Sequence, residues 1–183
     1  MSRIPLTSIE QQPEPIREFM ARRGNLNVFR LLANAPNVFV GWAQMVDELF
    51  RSPTFSPRMR ELIILRVAHL QDSPYELGQH LGLARAADLT EPQIDAILGT
   101  GDIDAAGFSG IERTALDVVS ELCTTHRLRD ESFAAAQGAF GDETLTELLM
   151  IVSCYYGLAL VLNAVDLEID TPTFFNPEEG LFK

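Results

Sequence analysis

Eighteen consecutive residues without a charge, 148–165 (LLMIVSCYYGLALVLNAV), constrain this chain more than any other feature. A run of that length is where a membrane span first comes into question. Its flanks argue against one. Glu147 precedes it and Asp166 follows it, with no nearby Lys or Arg to set an orientation. Ser153 and Asn163 interrupt its apolarity. The expectation is a helix buried on all sides. In a small domain, burial that thorough points to a subunit interface.

The rest of the chain is patterned for helices. Alternation at period two is nearly absent, and helix-like blocks are separated by Pro, Gly and Asp. Helices are predicted over 15–23, 28–32, 36–52, 57–70, 75–87, 93–98, 110–126, 130–140 and 142–168. Ser56-Pro57, Ser73-Pro74 and Thr90-Glu91-Pro92 each read as a cap followed by an early proline. Two long apolar segments, near 58–70 and 144–167, are the expected core. With 183 residues the chain is long enough to bury a core unaided. The expectation is an all-α domain of seven to nine helices over 14–169. An irregular arm over 1–13 precedes it. A tail over 170–183, carrying Phe174, Phe175 and Phe182, follows and is expected to dock on its own domain.

Charge narrows the function classes. The net charge is −12 and no basic run stands out. A duplex-binding surface neutralises phosphates with Lys and Arg, so nucleic acid is not an expected partner. An anionic membrane surface is disfavoured for the same reason. Two cysteines, Cys123 and Cys154, make no disulfide framework. The segment MSRIPLTSIEQQPEP has no apolar stretch of a secretory signal, so the expected compartment is a reducing cytoplasm.

Three constellations carry chemistry. Glu76 and His80, four apart in YELGQH, share a helical face, where a carboxylate can orient an imidazole for proton transfer. The plainer reading is a surface ion pair. Glu61 opens the apolar run ELIIL, and a carboxylate on a buried helix must be paired or have a raised pKa. Its plainer reading is a salt bridge to Arg58 or another arginine. Cys123 and His126, three apart, have the spacing of a thiolate–imidazole pair, but no further ligands accompany them. Both cysteines read as small core residues. His69, on the face of Glu61, reads as packed. P-loop, dinucleotide fingerprint, H-E-x-x-H, nucleophile elbow and CxxC are all missing, so nothing calls for a metal, nucleotide or flavin cofactor.

The stretch RMRELIILRVAHLQDSPYELGQHLGLARAADLTEPQIDAI resembles the core of the carboxymuconolactone decarboxylase family, itself similar to the alkylhydroperoxidase AhpD. SCYYGLALVLNAV adds a second patch, with Tyr155 eight residues before Asn163-Ala164 as in the family's late helix. The resemblance covers about residues 35–168. It implies an all-α fold and homo-oligomers, usually trimers or hexamers. It also offers Tyr155 as a substrate contact. The peroxidase branch carries a Glu, eleven residues, a Cys, two residues, a Cys, three residues and a His. Counted from Glu61, those positions hold Ser73, Glu76 and His80. Both thiols are replaced. Peroxide reduction by that route needs one thiolate to attack oxygen and a second thiol to resolve the sulfenic acid.

A proton relay without a redox centre remains. Glu61, Glu76 and His80 suit lyase, isomerase or decarboxylase chemistry. The decarboxylase branch implies a cofactor-free reaction on a small carboxylated lactone from aromatic catabolism. His80 would donate the proton and Glu76 would orient it. Ser73 joins the candidate substrate contacts. Arg66 or Arg85 would hold a substrate carboxylate. Another proton-transfer enzyme on the same scaffold (hydrolase, dehydratase or isomerase) and a non-catalytic oligomeric binding protein remain as alternatives, with thiol chemistry through Cys123 behind them.

Overall fold

The computed structural model describes residues 2–170; the expected tail lies outside them except for Asp170. Among the described residues there are eight α-helices, one short 3-10 turn and no strands. The helices are α1 (Glu14–Arg23), α2 (Asn27–Leu32), α3 (Pro36–Arg51), α4 (Pro57–Leu70), α5 (Pro74–Ala86), α6 (Glu91–Ile97), α7 (Gly110–Thr125) and α8 (Asp130–Ala164). The 3-10 turn, Ile9–Gln11, lies inside the stretch read as an irregular arm.

Proline and a cap start several of these helices. Pro36, Pro57 and Pro74 each occupy the first helical position, where a missing N–H costs nothing. Aspartate stops others. Asp72, Asp88 and Asp166 take positive φ angles of 47°, 64° and 51° directly after α4, α5 and α8. The following amides then reach back five residues, Ser73 N to Ala68 O at 2.9 Å, Leu89 N to Ala84 O at 3.0 Å and Leu167 N to Leu162 O at 3.2 Å. This is the Schellman arrangement, with Asp in the left-handed position usually held by Gly or Asn. It ends α8 at Ala164, four residues short of the predicted Glu168. Inside α8, Gly141 at φ 70°, ψ 172° breaks the helix into 130–140 and 142–164, so the two predicted helices here meet at one residue.

The described chain forms two compact units. The first gathers residues up to Ser52 together with those from Val161 onward. Its core is aromatic. Phe19 meets Phe29 and Phe39 edge-on at centroid distances of 5.0 and 5.4 Å, and Trp42 closes the cluster. The buried Arg23 guanidinium pairs with buried Asp47 at 2.5 Å. The arm belongs to this unit: Arg3 N bonds Val165 O at 2.8 Å and Thr7 Oγ1 bonds Arg30 O at 2.9 Å.

The second unit, Pro53–Leu160, is built around α4, which packs on α5, α6 and α7. Leu62, Ile63, Ile64 and Leu65 are all fully buried, an apolar helix hidden on most of its faces. The segment of α8 after Gly141 behaves differently. Leu148, Ile151 and Tyr155 are buried, but Met150, Ser153, Gly157 and Leu160 are exposed. The expectation of burial on all sides is therefore corrected: the charge-free helix hides one face and presents the other. By length and composition alone α8 could cross a membrane.

Candidate active site

Arg60, Glu61, Ser73, Glu76, His80 and Tyr155 all lie in the second unit and all are buried. Glu61 comes from the first turns of α4, 1% exposed. Its Oε2 lies 2.7 Å from His80 Nδ1 on α5. A carboxylate only accepts, so Nδ1–H donates, and the ring's Nε2 is left for other work. Arg60 Nε approaches Glu61 Oε1 at a long 3.4 Å. The Tyr155 ring stands edge-on to the imidazole, centroids 5.2 Å apart. Burial drives the Tyr155 phenol well above its ordinary pKa; Cys154, Glu61 and Glu76 add to the push and Arg60 opposes it. Tyr155 stays a neutral phenol there.

Glu76 does not orient His80. The shared helical face is real, but the imidazole satisfies Nδ1 across the helix pair, on Glu61. Both carboxylate oxygens of Glu76 and the Ser73 hydroxyl are buried and make no hydrogen bond within the protein. The backbone explains why. Ser73-x-x-Glu76 has the spacing of a capping box, in which the N3 Glu side chain would accept the N-cap N–H. The Asp72 stop has already taken that N–H for Ala68 O. Ser73 in turn makes no side-chain cap bond to α5. On α6 the Gln93 side chain does accept the Thr90 N–H, at 3.2 Å, and on α7 both halves of the box form between Ser109 and Glu112. Burial pushes the Glu76 carboxyl up to about 8; the neighbouring Ser73 hydroxyl eases this only partly, since it makes no well-formed bond to the carboxylate. At neutral pH Glu76 is a protonated acid beside the Glu61–His80 pair.

Neither arginine expected to hold a substrate carboxylate reaches this cluster. Arg66 gives its guanidinium to Ser120 Oγ at 3.0 Å and to Ile97 O at 2.8 Å. Arg85 is exposed and paired with Glu91 at 2.7 Å. Each stands five residues beyond a site residue, Glu61 or His80, which turns it about 140° around its helix. Arg60, the buried cation beside Glu61, escaped the sequence reading. Its signal was an arginine next to a candidate carboxylate in a segment otherwise bound for the core. His69 lies away from the cluster, with its ring 3.2 Å from where a Gly99 side chain would begin. Cys123 is buried and its thiol is pushed up to about 11 by desolvation, with Arg66 opposing. His126 is exposed at the end of α7. The two form no thiolate–imidazole pair. Among the described residues no group of three or more His, Cys, Asp or Glu gathers as metal ligands would.

This is the architecture of an AhpD-like helical domain. A peroxidase-related protein from Ralstonia eutropha JMP134, described as an alkylhydroperoxidase AhpD core, superposes with a TM-score of 0.81 at 21% identity, over 96% of each chain. A peroxidase-related protein from Silicibacter sp. TM1040 gives 0.79 at 15% identity, over 96% of this chain and 95% of its own. A cysteine-to-alanine variant of the debrominase Bmp8, solved with 2,3,4-tribromopyrrole, gives 0.75 at 18% identity, over 92% and 91%. No curated protein matches the sequence. Residues 36–121 match the model of the carboxymuconolactone decarboxylase family. That match spans Arg60, Glu61, Ser73, Glu76 and His80, the cluster described above except for Tyr155.

Proposed function

We propose that this protein is a cofactor-free lyase of the decarboxylase type, acting on a small carboxylated lactone or unsaturated acid. The observation that carries the proposal is the buried 2.7 Å contact between His80 Nδ1 and Glu61, at a site where the two thiol positions of a peroxidase hold Ser73 and Glu76. In such a reaction the bond to the substrate carboxylate breaks and carbon dioxide leaves. The electron pair moves into a conjugated carbonyl as a dienolate. The protonated His80 then delivers a proton from Nε2 to carbon, and solvent restores it. Glu61 holds the ring and stabilises the imidazolium, a role familiar from His–carboxylate pairs.

The test is ultraviolet-monitored turnover of γ-carboxymuconolactone. His80→Asn is expected to lower kcat by about 10²–10⁴-fold, and Glu61→Gln to fall within the same range because it leaves the ring without a charged partner. Arg85→Ala, remote and exposed, serves as a control expected to match the parent. Undiminished turnover in His80→Asn refutes the proposal. Absence of turnover by the parent, repeated over a panel of related lactones and unsaturated acids, refutes it too.

We also propose that the exposed apolar face at Met150, Ser153, Gly157 and Leu160 is covered by a second copy of the chain. Light scattering on the eluted protein should then give a multiple of 20.3 kDa, and Gly157→Glu should reduce it to the monomer.

A further inference from the structure

Capping boxes offer a comparison inside this one chain. Two of them bond at the start of their helices, and the residues of the third are diverted. Gln93 on α6 and Ser109/Glu112 on α7 spend their side chains on helix N-termini. Ser73 and Glu76 have the same spacing and do not. Ser73 is 0% exposed and Glu76 2% exposed, and three oxygen atoms between them are unpartnered. A buried hydroxyl or carboxyl without a hydrogen bond has given up its bonds to water with nothing in return. Two such groups side by side, next to an imidazole, are a feature that ligand binding would relieve.

We propose that Ser73 and Glu76 form a hydrogen-bond-donor subsite for an uncharged carbonyl oxygen, such as that of a lactone, ester or amide, and that they hold this oxygen as negative charge develops on it. The proposal rests on reading the cluster as a ligand site and adds to it the chemical class of the group recognised. A protonated carboxyl and a hydroxyl each carry one donor proton, and a carbonyl oxygen has two lone pairs to accept them. Donors placed in a dry site are worth most where charge builds up in the transition state. A neutral carboxyl held in an apolar setting is a known solution to this problem.

The chemistry separates the possible ligands. An ammonium would require Glu76 to ionise. A carboxylate costs far more to strip of water in a dry site than a carbonyl does. A carbonyl adds no net charge. The charged and titratable groups around the subsite are Arg60 and Glu61 on α4, His80 on α5, and Tyr155 on α8 with Cys154 beside it. Arg60 and Glu61 offset one another and the Tyr155 phenol is neutral. Burial is the largest influence on the Glu76 carboxyl, which loses its proton near pH 8.

The experiment uses butenolide as the neutral probe and crotonate as its charged counterpart, with binding read by ligand-observed NMR on the intact protein between pH 6 and 10. Butenolide is expected to bind below about pH 8 and to weaken about tenfold per pH unit above it. Crotonate is expected to bind at least tenfold more weakly at pH 7. Glu76→Gln keeps an N–H donor and should retain butenolide within about threefold at pH 7, with the fall above pH 8 abolished. Ser73→Ala should weaken butenolide about fivefold, the loss of one ordinary hydrogen bond. An infrared difference spectrum of the parent between pH 6 and 10 gives a second readout that needs no variant to fold. It should contain a protonated-carboxyl band that shifts when butenolide is added. Failure of butenolide to bind, equal binding of crotonate, an unchanged pH profile in Glu76→Gln, or absence of the carboxyl band overturns the proposal. None of these readouts depends on turnover, so the subsite and the decarboxylase proposal stand or fall separately.

Discussion

Replacing Glu76 by Gln should change how the stability of this protein depends on pH. In the unfolded chain a glutamate titrates near 4.5; in the folded site burial raises it to about 8. Between those values the folded state holds a proton that the unfolded state has released. Unfolding then releases a proton, and stability falls as pH rises through the window. The contribution is intact below about pH 4.5, declines from there, and is fully lost above about pH 8. Spread over the whole window, the span is on the order of 3–5 kcal/mol, from about 1.4 kcal/mol per pH unit. Glu76→Gln removes this slope. It leaves an amide in the same space, at a cost that does not vary with pH. The informative quantity is therefore the difference between the two stability curves, measured by urea denaturation at fixed temperature from pH 5 to pH 9. The variant should gain on the parent by a few kcal/mol across that range. Parallel curves would mean that Glu76 titrates normally. They would refute the account of the site as a dry carboxyl beside the Glu61–His80 hydrogen bond.

Two further outcomes test other parts of the structure. Ser109→Ala should cost about 1 kcal/mol, because Ser109 closes the capping box of α7, whereas Ser73→Ala should cost α5 no capping energy; equal losses in thermal denaturation would contradict the bonding described for the two turns. Cys123 should react with iodoacetamide at pH 8 on the order of a hundredfold more slowly than free cysteine, since burial raises its thiol to about 11; a rate within tenfold of the free amino acid would refute that placement.

Most of the helical architecture was legible because local chemistry and tertiary structure agree. Ser56-Pro57 starts α4 as a capped helix should, and Gly141 divides two helices where the sequence divides them. Disagreement came where a stop signal was disguised. Asp166 halts α8 in a left-handed conformation that Gly or Asn more often adopts, so the apolar pattern ran on past it. At the site, spacing placed Glu61, Glu76 and His80 together but did not say which carboxylate holds the imidazole. That depends on the packing of α4 against α5, which no pattern within one helix encodes. The fate of Ser73 and Glu76 was hidden for a similar reason. Their four-residue motif reads as a cap until the neighbouring helix claims the Ser73 amide that the Glu76 side chain would have bonded. Only charge recommends Arg66 and Arg85, and helical geometry turns both away.

Gly141 has a consequence for the mutational landscape of this chain. It is exposed, and a side chain there would meet nothing within 4 Å. By neighbours alone it should accept any residue. Its torsion angles, φ 70° and ψ 172°, belong to a region that essentially only glycine enters, and another residue there costs about 1–3 kcal/mol. A deep substitution scan would therefore mark this open surface position as intolerant as the interior. D-alanine, introduced by chemical synthesis, would be accepted where L-alanine is not.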